Sequence, residues 1–276
     1  MDLIAKKIEM VDLQTSSVLL GLFIGLVLAL TGAGSSILAI PLLVFSLNLN
    51  LAQAVPIALL AIMSAASVGA IQGLYAGIVR YKTALLIASF GIAFAPIGVW
   101  LAQRAPTEIL NLCFAAILIY MACHMWKLPS LQLSHQDKPE PACMINPATS
   151  KLFWTASCTK RLVITGAATG LLSGLFGIGG GFVIVPSLRK VSNFNAQTII
   201  ATSLTVIALV SASSVASYLL HDAINWKIAV PFVASTMLGM FAFSLISYKI
   251  PLIISQRSFA VLAVLAAILM LLKSFS

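Results

Sequence analysis

Charged side chains are scarce in this chain. Asp, Glu, Lys and Arg make up 8% of its 276 residues, whereas soluble domains carry about 25%. Between residues 13 and 79 there is no Asp, Glu, Lys, Arg or His. A helix that crosses a bilayer needs roughly 20 apolar residues, so this stretch enters the membrane at least twice. The composition therefore indicates an integral membrane protein and argues against a soluble fold.

Acidic residues are few, and none lies deep in an apolar segment. Proton relays and cation sites in membranes usually depend on buried carboxylates, so a cation pump or a carboxylate-relayed proton exchanger is disfavoured. No acidic residue follows the Gly-rich run of the second half at the distance that a dinucleotide-binding fold requires. The apolar segments also offer no nucleophile, metal cluster or general base, so we expect no enzyme activity, no metal and no cofactor. The acidic residues are Asp2, Glu9, Asp12, Glu108, Asp137, Glu140 and Asp222.

The net charge and the cysteines indicate which surroundings the loops of the chain face. The formal net charge of +9 fits loops that face a cytoplasmic leaflet, and we expect no nucleic-acid partner. Cys143 and Cys158 lie in a polar stretch without a C-x-x-C spacing. If that stretch is cytoplasmic, we expect both cysteines to stay reduced.

Eight apolar segments are separated by turn and charge signals. Four precede the polar stretch 127–160 and four follow it, which predicts an all-α membrane protein of two homologous four-segment halves. The first membrane repeat is then 13–126, the linker 127–160 and the second membrane repeat 161–273. The predicted segments are 16–47, 52–79, 83–102, 108–126, 161–188, 196–220, 228–247 and 258–272.

The opening phrase of each half is repeated. Residues 25–41 read GLVLALTGAGSSILAIP, and residues 170–186 read GLLSGLFGIGGGFVIVP, at an offset of 145 without a gap. Each copy carries a Gly-rich interruption inside an apolar run. Paired interruptions of this kind in two halves indicate the binding site of a transporter. Each half is therefore expected to open with a Gly-broken or re-entrant helix.

Two topologies account equally well for the basic residues. In eight full spans with a cytoplasmic N-terminus, eleven of the 16 Lys and Arg residues face the cytoplasm. If each Gly-broken segment is a hairpin and the N-terminus is outside, eleven again face the cytoplasm, so the positive-inside rule does not choose. Both place the linker in the cytoplasm, and the hairpin alternative turns the two repeats upside down relative to each other.

A broken helix in a membrane exposes unpaired backbone groups, which protein or a water-filled cavity must surround. Glycine permits the turn and the close approach of a ligand, and the half-helix that follows presents free N–H groups and a positive dipole end. Hydroxyl groups can add further donors. This pattern predicts an anion site made of Gly32, Gly34, Ser35, Ser36, Gly177, Gly179, Gly180, Gly181, Thr202 and Ser203. For Thr202 and Ser203, a hydroxyl bonded to its own helix is an equally good interpretation.

The second copy of the phrase, with Ala201-Thr-Ser-Leu204 after it, resembles the signature of the sulfite exporter TauE/SafE family, part of the toluenesulfonate uptake permease superfamily. The resemblance implies a multi-pass carrier in the bacterial inner membrane for sulfite, sulfonates or sulfoacetate. The first half departs from the pattern, because Ser35-Ser36 replaces Gly-Gly and Val55-Pro56-Ile57 replaces a small-Thr-Ser-Leu run.

Several alternatives remain open at this point. A passive anion channel, a carrier of a non-sulfur organic anion, and more remotely a membrane enzyme or assembly factor would share the composition. The expected partners are a small anionic substrate and the lipid bilayer, and homo-oligomerisation is left open. The anion-site hypothesis also predicts that Gly180→Val abolishes transport, and that Gly180→Asp weakens binding while Gly180→Ala is tolerated.

Overall fold

The part of the chain that the structure describes folds mainly into helices. A computed structural model describes residues 2–31, 35–47, 49–131, 143, 155–192, 194–220, 224–247, 261 and 264–268. The helices of this described part are α1 (Asp2–Thr31), α2 (Ser35–Ser46), α3 (Leu51–Tyr75), α4 (Tyr81–Arg104), α5 (Thr107–Leu131), α6 (Ala156–Phe176), α7 (Gly181–Val191), α8 (Ala196–Leu219) and α9 (Trp226–Ser247).

The sequence repeat is visible in the helix boundaries. The starts of α3 and α8, at 51 and 196, are 145 residues apart, and so are the starts of α4 and α9, at 81 and 226. Each predicted segment that carries the Gly-rich phrase divides into two helices, α1 with α2 and α6 with α7. Most of the predicted segment 258–272 lies outside the described residues. Four described helices, α3, α4, α8 and α9, are long and apolar enough to cross a membrane.

The contacts of α8 fix the direction of its neighbours. Gly73 and Gly69 of α3 lie against Ala201 and Leu204 respectively, so α3 and α8 are antiparallel. Arg80 at the start of α4 contacts Thr202, whereas Ser213, later in α8, donates to the Ile92 carbonyl at 3.3 Å. Helix α4 therefore runs parallel to α8.

Helices α6 and α7 form a re-entrant hairpin. Gly166, Gly170 and Gly174 of α6 pack in this order against Ile87, Gly91 and Ala95 of α4, so α6 is parallel to α4 and hence to α8. Because α6 and α8 start on the same face, α7 must carry the chain back to the face from which α6 entered. This course of the chain agrees with the hairpin alternative, which charge alone did not select, and the topology in a membrane stays a prediction.

The first half is arranged in the opposite sense. Gly21 and Gly25 of α1 pack in this order against Phe232 and Thr236 of α9, so α1 and α9 are parallel. Six residues separate the end of α8 from the start of α9, and Met240 of α9 reaches Gly69 late in α3, so α9 runs antiparallel to α8. Helix α1 is therefore antiparallel to its counterpart α6. We call the face where α1, α3 and α9 begin the N-terminal face, and the face where α4, α6 and α8 begin the linker face.

Close helix packing joins the two halves. A β-carbon on Gly21 would lie 2.6 Å from the Phe232 carbonyl oxygen, and one on Gly166 would lie 2.5 Å from the Ile87 carbonyl oxygen. These two contacts are equivalent under the 145-residue repeat, and Gly25 and Gly170 repeat them one turn later. Small residues allow this approach of backbones in membranes, so these four glycines, of which Gly25 and Gly170 open the repeated phrase, serve packing.

A disulfide connects the linker to the hairpin. Cys143 is bonded to Cys158 in the first turn of α6, both are buried, and Cys143 also forms a backbone bridge with Ser192 at the end of α7. The expectation that both cysteines stay reduced is wrong for this structure. Disulfides are rare in the cytosol, so the bond and the charge asymmetry give opposite predictions for the side on which the linker lies.

The first prediction is that the N-terminus and the linker lie on opposite sides of the membrane. A topology reporter fused to the N-terminus and the same reporter inserted in the linker should give opposite signals, because the α1–α2 and α6–α7 units each return to the face they enter. Equal signals would instead support eight full spans.

The side of the linker is the second prediction, and it follows the charge asymmetry. Ala156→Cys changes an exposed residue at the start of α6, next to the linker. A membrane-impermeant maleimide should label this variant in inverted vesicles and leave it unlabelled in intact cells. The buried Cys143–Cys158 disulfide does not react, and Cys113→Ser with Cys123→Ser removes the free cysteines. Labelling of Ala156→Cys in intact cells would show that the linker faces an oxidising compartment.

The third prediction concerns the packing glycines. Gly170→Val should sharply lower the yield and melting temperature of the purified protein, because a β-carbon there collides with the Gly91 carbonyl. Gly77→Ala is the matched control, since Gly77 has a φ of +68° but nothing within 4 Å of its β-carbon position. We expect that control to cost only about 1 kcal/mol of backbone strain. Equal melting temperatures for the two variants would contradict this role.

Candidate functional site

The connection between α6 and α7 is a left-handed glycine turn. Gly177, Gly179 and Gly180 have φ values of +66°, +64° and +67°, which side-chain-bearing residues adopt only at a cost. Gly177 closes α6 by donating to the Ser173 carbonyl at 2.9 Å. We call residues 177–181 the glycine turn, and all five are buried.

The glycine turn lies between the middles of α3 and α8. A β-carbon on Gly179 would lie 3.1 Å from both Ile62 Cγ2 and Ile207 Cγ2. These two isoleucines are equivalent under the 145-residue repeat and stand near the centres of their helices. Gly179 therefore sits where the two halves meet and at mid-depth of the helices around it.

An unpartnered hydroxyl group faces this point. Ser211 is fully buried, its Oγ has no hydrogen-bond partner, and a β-carbon on Gly179 would lie 3.2 Å from that oxygen. Leaving a buried hydroxyl unsatisfied costs about 1–3 kcal/mol. Sequence reasoning missed Ser211 as a site residue, because a serine in an apolar helix carries no signal of its own. Its lack of a partner is visible only in the folded protein.

Helix α7 begins at the glycine turn and supplies backbone donors. The Gly180 carbonyl accepts from Val183 at 3.0 Å and from Ile184 at 3.4 Å, which leaves the N–H groups of Gly180, Gly181 and Phe182 without an intrahelical acceptor. The positive end of the helix dipole points the same way. A small anion is the ligand that such a group of donors suits.

Any side chain at Gly180 would be strained. Besides the left-handed φ, a β-carbon there would lie 2.8 Å from the Thr169 carbonyl oxygen and closer still to the Thr169 methyl group. The sequence argument supposed that Gly180→Ala would be tolerated. The contacts of Gly180 indicate that it would not be. The substitutions proposed at Gly180 cannot separate a lost ligand contact from a distorted turn.

The other predicted site residues are placed as follows. Thr202 accepts a hydrogen bond from the Arg80 N–H at 3.2 Å, and Ser203 donates to the Ile200 carbonyl at 2.8 Å. Both lie in the first third of α8, toward the linker face, rather than beside the glycine turn. Gly32 and Gly34 lie outside the described residues, and Ser35 and Ser36 are described only as backbone of α2. Their part in the site stays a prediction.

A cavity of about 130 Å³ opens near the glycine turn from the N-terminal face. Its lining comes from the start of α3, the end of α4, the start of α5, and Leu175 and Tyr218. Val55 lines it as well and also packs against Gly177, since a β-carbon on that glycine would lie 2.8 Å from Val55 Cγ1. The cavity thus reaches the rim of the glycine turn.

Comparison with known proteins identifies the family of the chain. Residues 17–270 match the family model described as sulfite exporter TauE/SafE. A probable membrane transporter protein of Xylella fastidiosa (strain Temecula1) is 28% identical over 222 residues, covering 79% of each chain. The probable membrane transporter protein YunE of Bacillus subtilis is 28% identical over 240 residues, covering 80% of this chain and 84% of its own.

A third relative spans nearly the whole length of the chain. The probable membrane transporter protein YdhB of Bacillus subtilis is 23% identical over 256 residues, covering 92% of this chain and 98% of its own. No solved structure matches the chain. The family match extends over most of the sequence and includes both copies of the repeated phrase. The chain belongs to the TauE/SafE family and is a multi-pass membrane transporter.

Proposed function

We propose that this protein is a secondary carrier of small sulfur-containing oxyanions, of the sulfite, sulfonate or sulfoacetate type, across the bacterial inner membrane. The observation that carries the proposal is the unpartnered Ser211 hydroxyl beside the left-handed glycine turn. The family description, which names sulfite export, supports the choice of anion.

The chemistry around the glycine turn favours an oxyanion over a cation. The donors are the N–H groups at the start of α7 and the Ser211 hydroxyl, each of which can bond to a sulfonate or sulfite oxygen. No Asp or Glu occurs in α2, α3, α4 or α6 to α9, so no carboxylate on these helices opposes a negative charge. The site binds an anion without placing a lysine or arginine in hydrocarbon, which would be costly.

The first half is proposed to complete the site. Gly32, Gly34, Ser35 and Ser36 occupy the repeat positions of Gly177, Gly179, Gly180 and Gly181. The inverted repeat would bring a second half-helix toward the same point from the opposite face. Thr202 and Ser203 are proposed to serve the anion on the linker side of that point.

The fourth prediction tests Ser211 directly. Ser211→Ala should weaken binding of sulfoacetate and sulfite by roughly tenfold, because one hydrogen bond to a charged ligand is lost. The same substitution should raise the melting temperature of the ligand-free protein, because it removes a buried hydroxyl that has no partner. Thermal-shift titration of purified protein measures both effects, and uptake of labelled anion into proteoliposomes measures transport.

The matched control for this experiment is Ser217→Ala on the same helix. The Ser217 hydroxyl already donates to the Ser213 carbonyl at 3.0 Å, so its loss should leave anion binding unchanged. Wild-type affinity in Ser211→Ala would rule out the proposed site. If the anion inside the proteoliposomes never exceeds its outside concentration, whichever ion gradient is imposed, the result would favour a passive channel over a carrier.

A further inference from the structure

A line of buried hydroxyl groups runs from the cavity to the glycine turn. Tyr218, which lines the cavity, donates to the Gly174 carbonyl at 3.1 Å. The preceding residue of α6, Ser173, lies 3.3 Å from Ser214, measured between the two Oγ atoms. Ser211 follows one turn back along α8 and faces Gly179. We call Tyr218, Ser214, Ser173 and Ser211 the hydroxyl row.

Helical geometry places this row on one side of α8. Residues 211, 214 and 218 are three and four positions apart, and such residues share a helix face. Ser173 and Ser214 are fully buried, and Tyr218 is nearly so. Hydroxyl groups inside a membrane protein either bond across helices or line a substrate path, and a row that links a cavity to an unpartnered hydroxyl favours the second role. Ser214 donates to its own helix at the Val210 carbonyl, and its O–H can rotate from that acceptor to donate to a passing anion.

The first half has no equivalent row. The repeat positions of Ser211, Ser214, Tyr218 and Ser173 hold Ala66, Gly69, Gly73 and Leu28. On the linker side these positions are covered, because a β-carbon on Gly69 would lie 2.5 Å from Met240 Cε and 2.7 Å from Leu204 Cδ1. One on Gly73 would lie 2.9 Å from Ala201 Cβ. Apolar packing therefore closes the linker side, whereas a cavity and hydroxyl groups mark the N-terminal side.

From this asymmetry we infer that the hydroxyl row is the access path of the anion between the N-terminal face and the glycine turn. The path begins at the cavity, passes Tyr218 and ends at Ser211. In this structure the hydroxyls of Tyr218 and Ser214 donate to backbone carbonyls, so each must rotate before it donates to an oxyanion and replaces part of its hydration shell. The identity of the ligand as an anion rests on the proposed function, but the position and sidedness of the path do not.

The fifth prediction uses cysteine accessibility. In a Cys113→Ser, Cys123→Ser background that keeps the Cys143–Cys158 disulfide, Ser214→Cys should react with methanethiosulfonate ethylsulfonate, a small sulfonate reagent, from the N-terminal face. Val215→Cys is the matched control, because Val215 is the next residue of α8 and is also buried but lies off the row. We expect Ser214→Cys to react at least about tenfold faster than that control, since the anionic reagent should enter along the row, whereas packed side chains exclude it from position 215.

Comparing intact cells with inverted vesicles gives the sidedness. Reaction of Ser214→Cys from the N-terminal face alone supports the path, whereas equal rates for the two variants or faster reaction from the linker face would overturn it. Ser173→Cys repeats the measurement from α6, so a poorly folded Ser214→Cys protein does not decide the result. Gel filtration of each purified variant identifies those that fold.

Protection of the cysteine by ligand tests the access path and the substrate class separately. Sulfoacetate and ethanesulfonate, which do not consume the reagent, should slow the labelling of Ser214→Cys several-fold, and propionate should slow it less. If labelling follows the predicted sidedness but no sulfonate slows it, the path is supported and the proposed substrate class is wrong. If labelling is absent from the N-terminal face while sulfoacetate still binds, the path is wrong and the anion site at the glycine turn is unaffected.

Discussion

The constraint on which this structure depends is that backbone N–H and C=O groups cannot be left bare in hydrocarbon. A chain that turns around in mid-membrane must therefore be enclosed by other helices. Here the glycine turn is buried between α3 and α8, whose central isoleucines hold lipid away from it. The same enclosure keeps water away from the glycine turn and lowers the local dielectric constant. In such surroundings N–H and hydroxyl donors act strongly on a charged ligand.

That enclosure needs helices that pack closely without a hydrophobic driving force between them. Helix α1 packs closely on α9, and α6 packs closely on α4. In both pairs a glycine lies against a backbone carbonyl of the neighbouring helix. Each of these contacts joins a hairpin helix of one half to a long helix of the other. The two halves are therefore interlocked, and the hairpins are held by helices that belong to the opposite repeat.

Much of this architecture could be predicted from the sequence, because its signals are local or repeated. The absence of charge from 13 to 79 indicates membrane helices, and the repeat offset of 145 recurs in the helix starts. Other features depend on contacts between distant residues and left no such signal. Gly170 and Gly179 belong to one phrase, yet one packs against α4 and the other lies at the centre. Ser211 and the pairing of Cys143 with Cys158 likewise became visible only in the folded chain.

The interlocking of the halves has a consequence for how the protein is made. During synthesis α1 emerges first, but the surface that receives Gly21 and Gly25 is on α9, roughly 200 residues later at about 5–20 residues per second. For tens of seconds the glycine face of α1 lacks its native neighbour and remains open to lipid or to the insertion machinery. Helix α6, by contrast, follows α4 and finds its partner already in place. Assembly is therefore asymmetric in time although the α1–α9 and α6–α4 contacts are equivalent in the finished fold, and α1 becomes fixed only after α9 has been made.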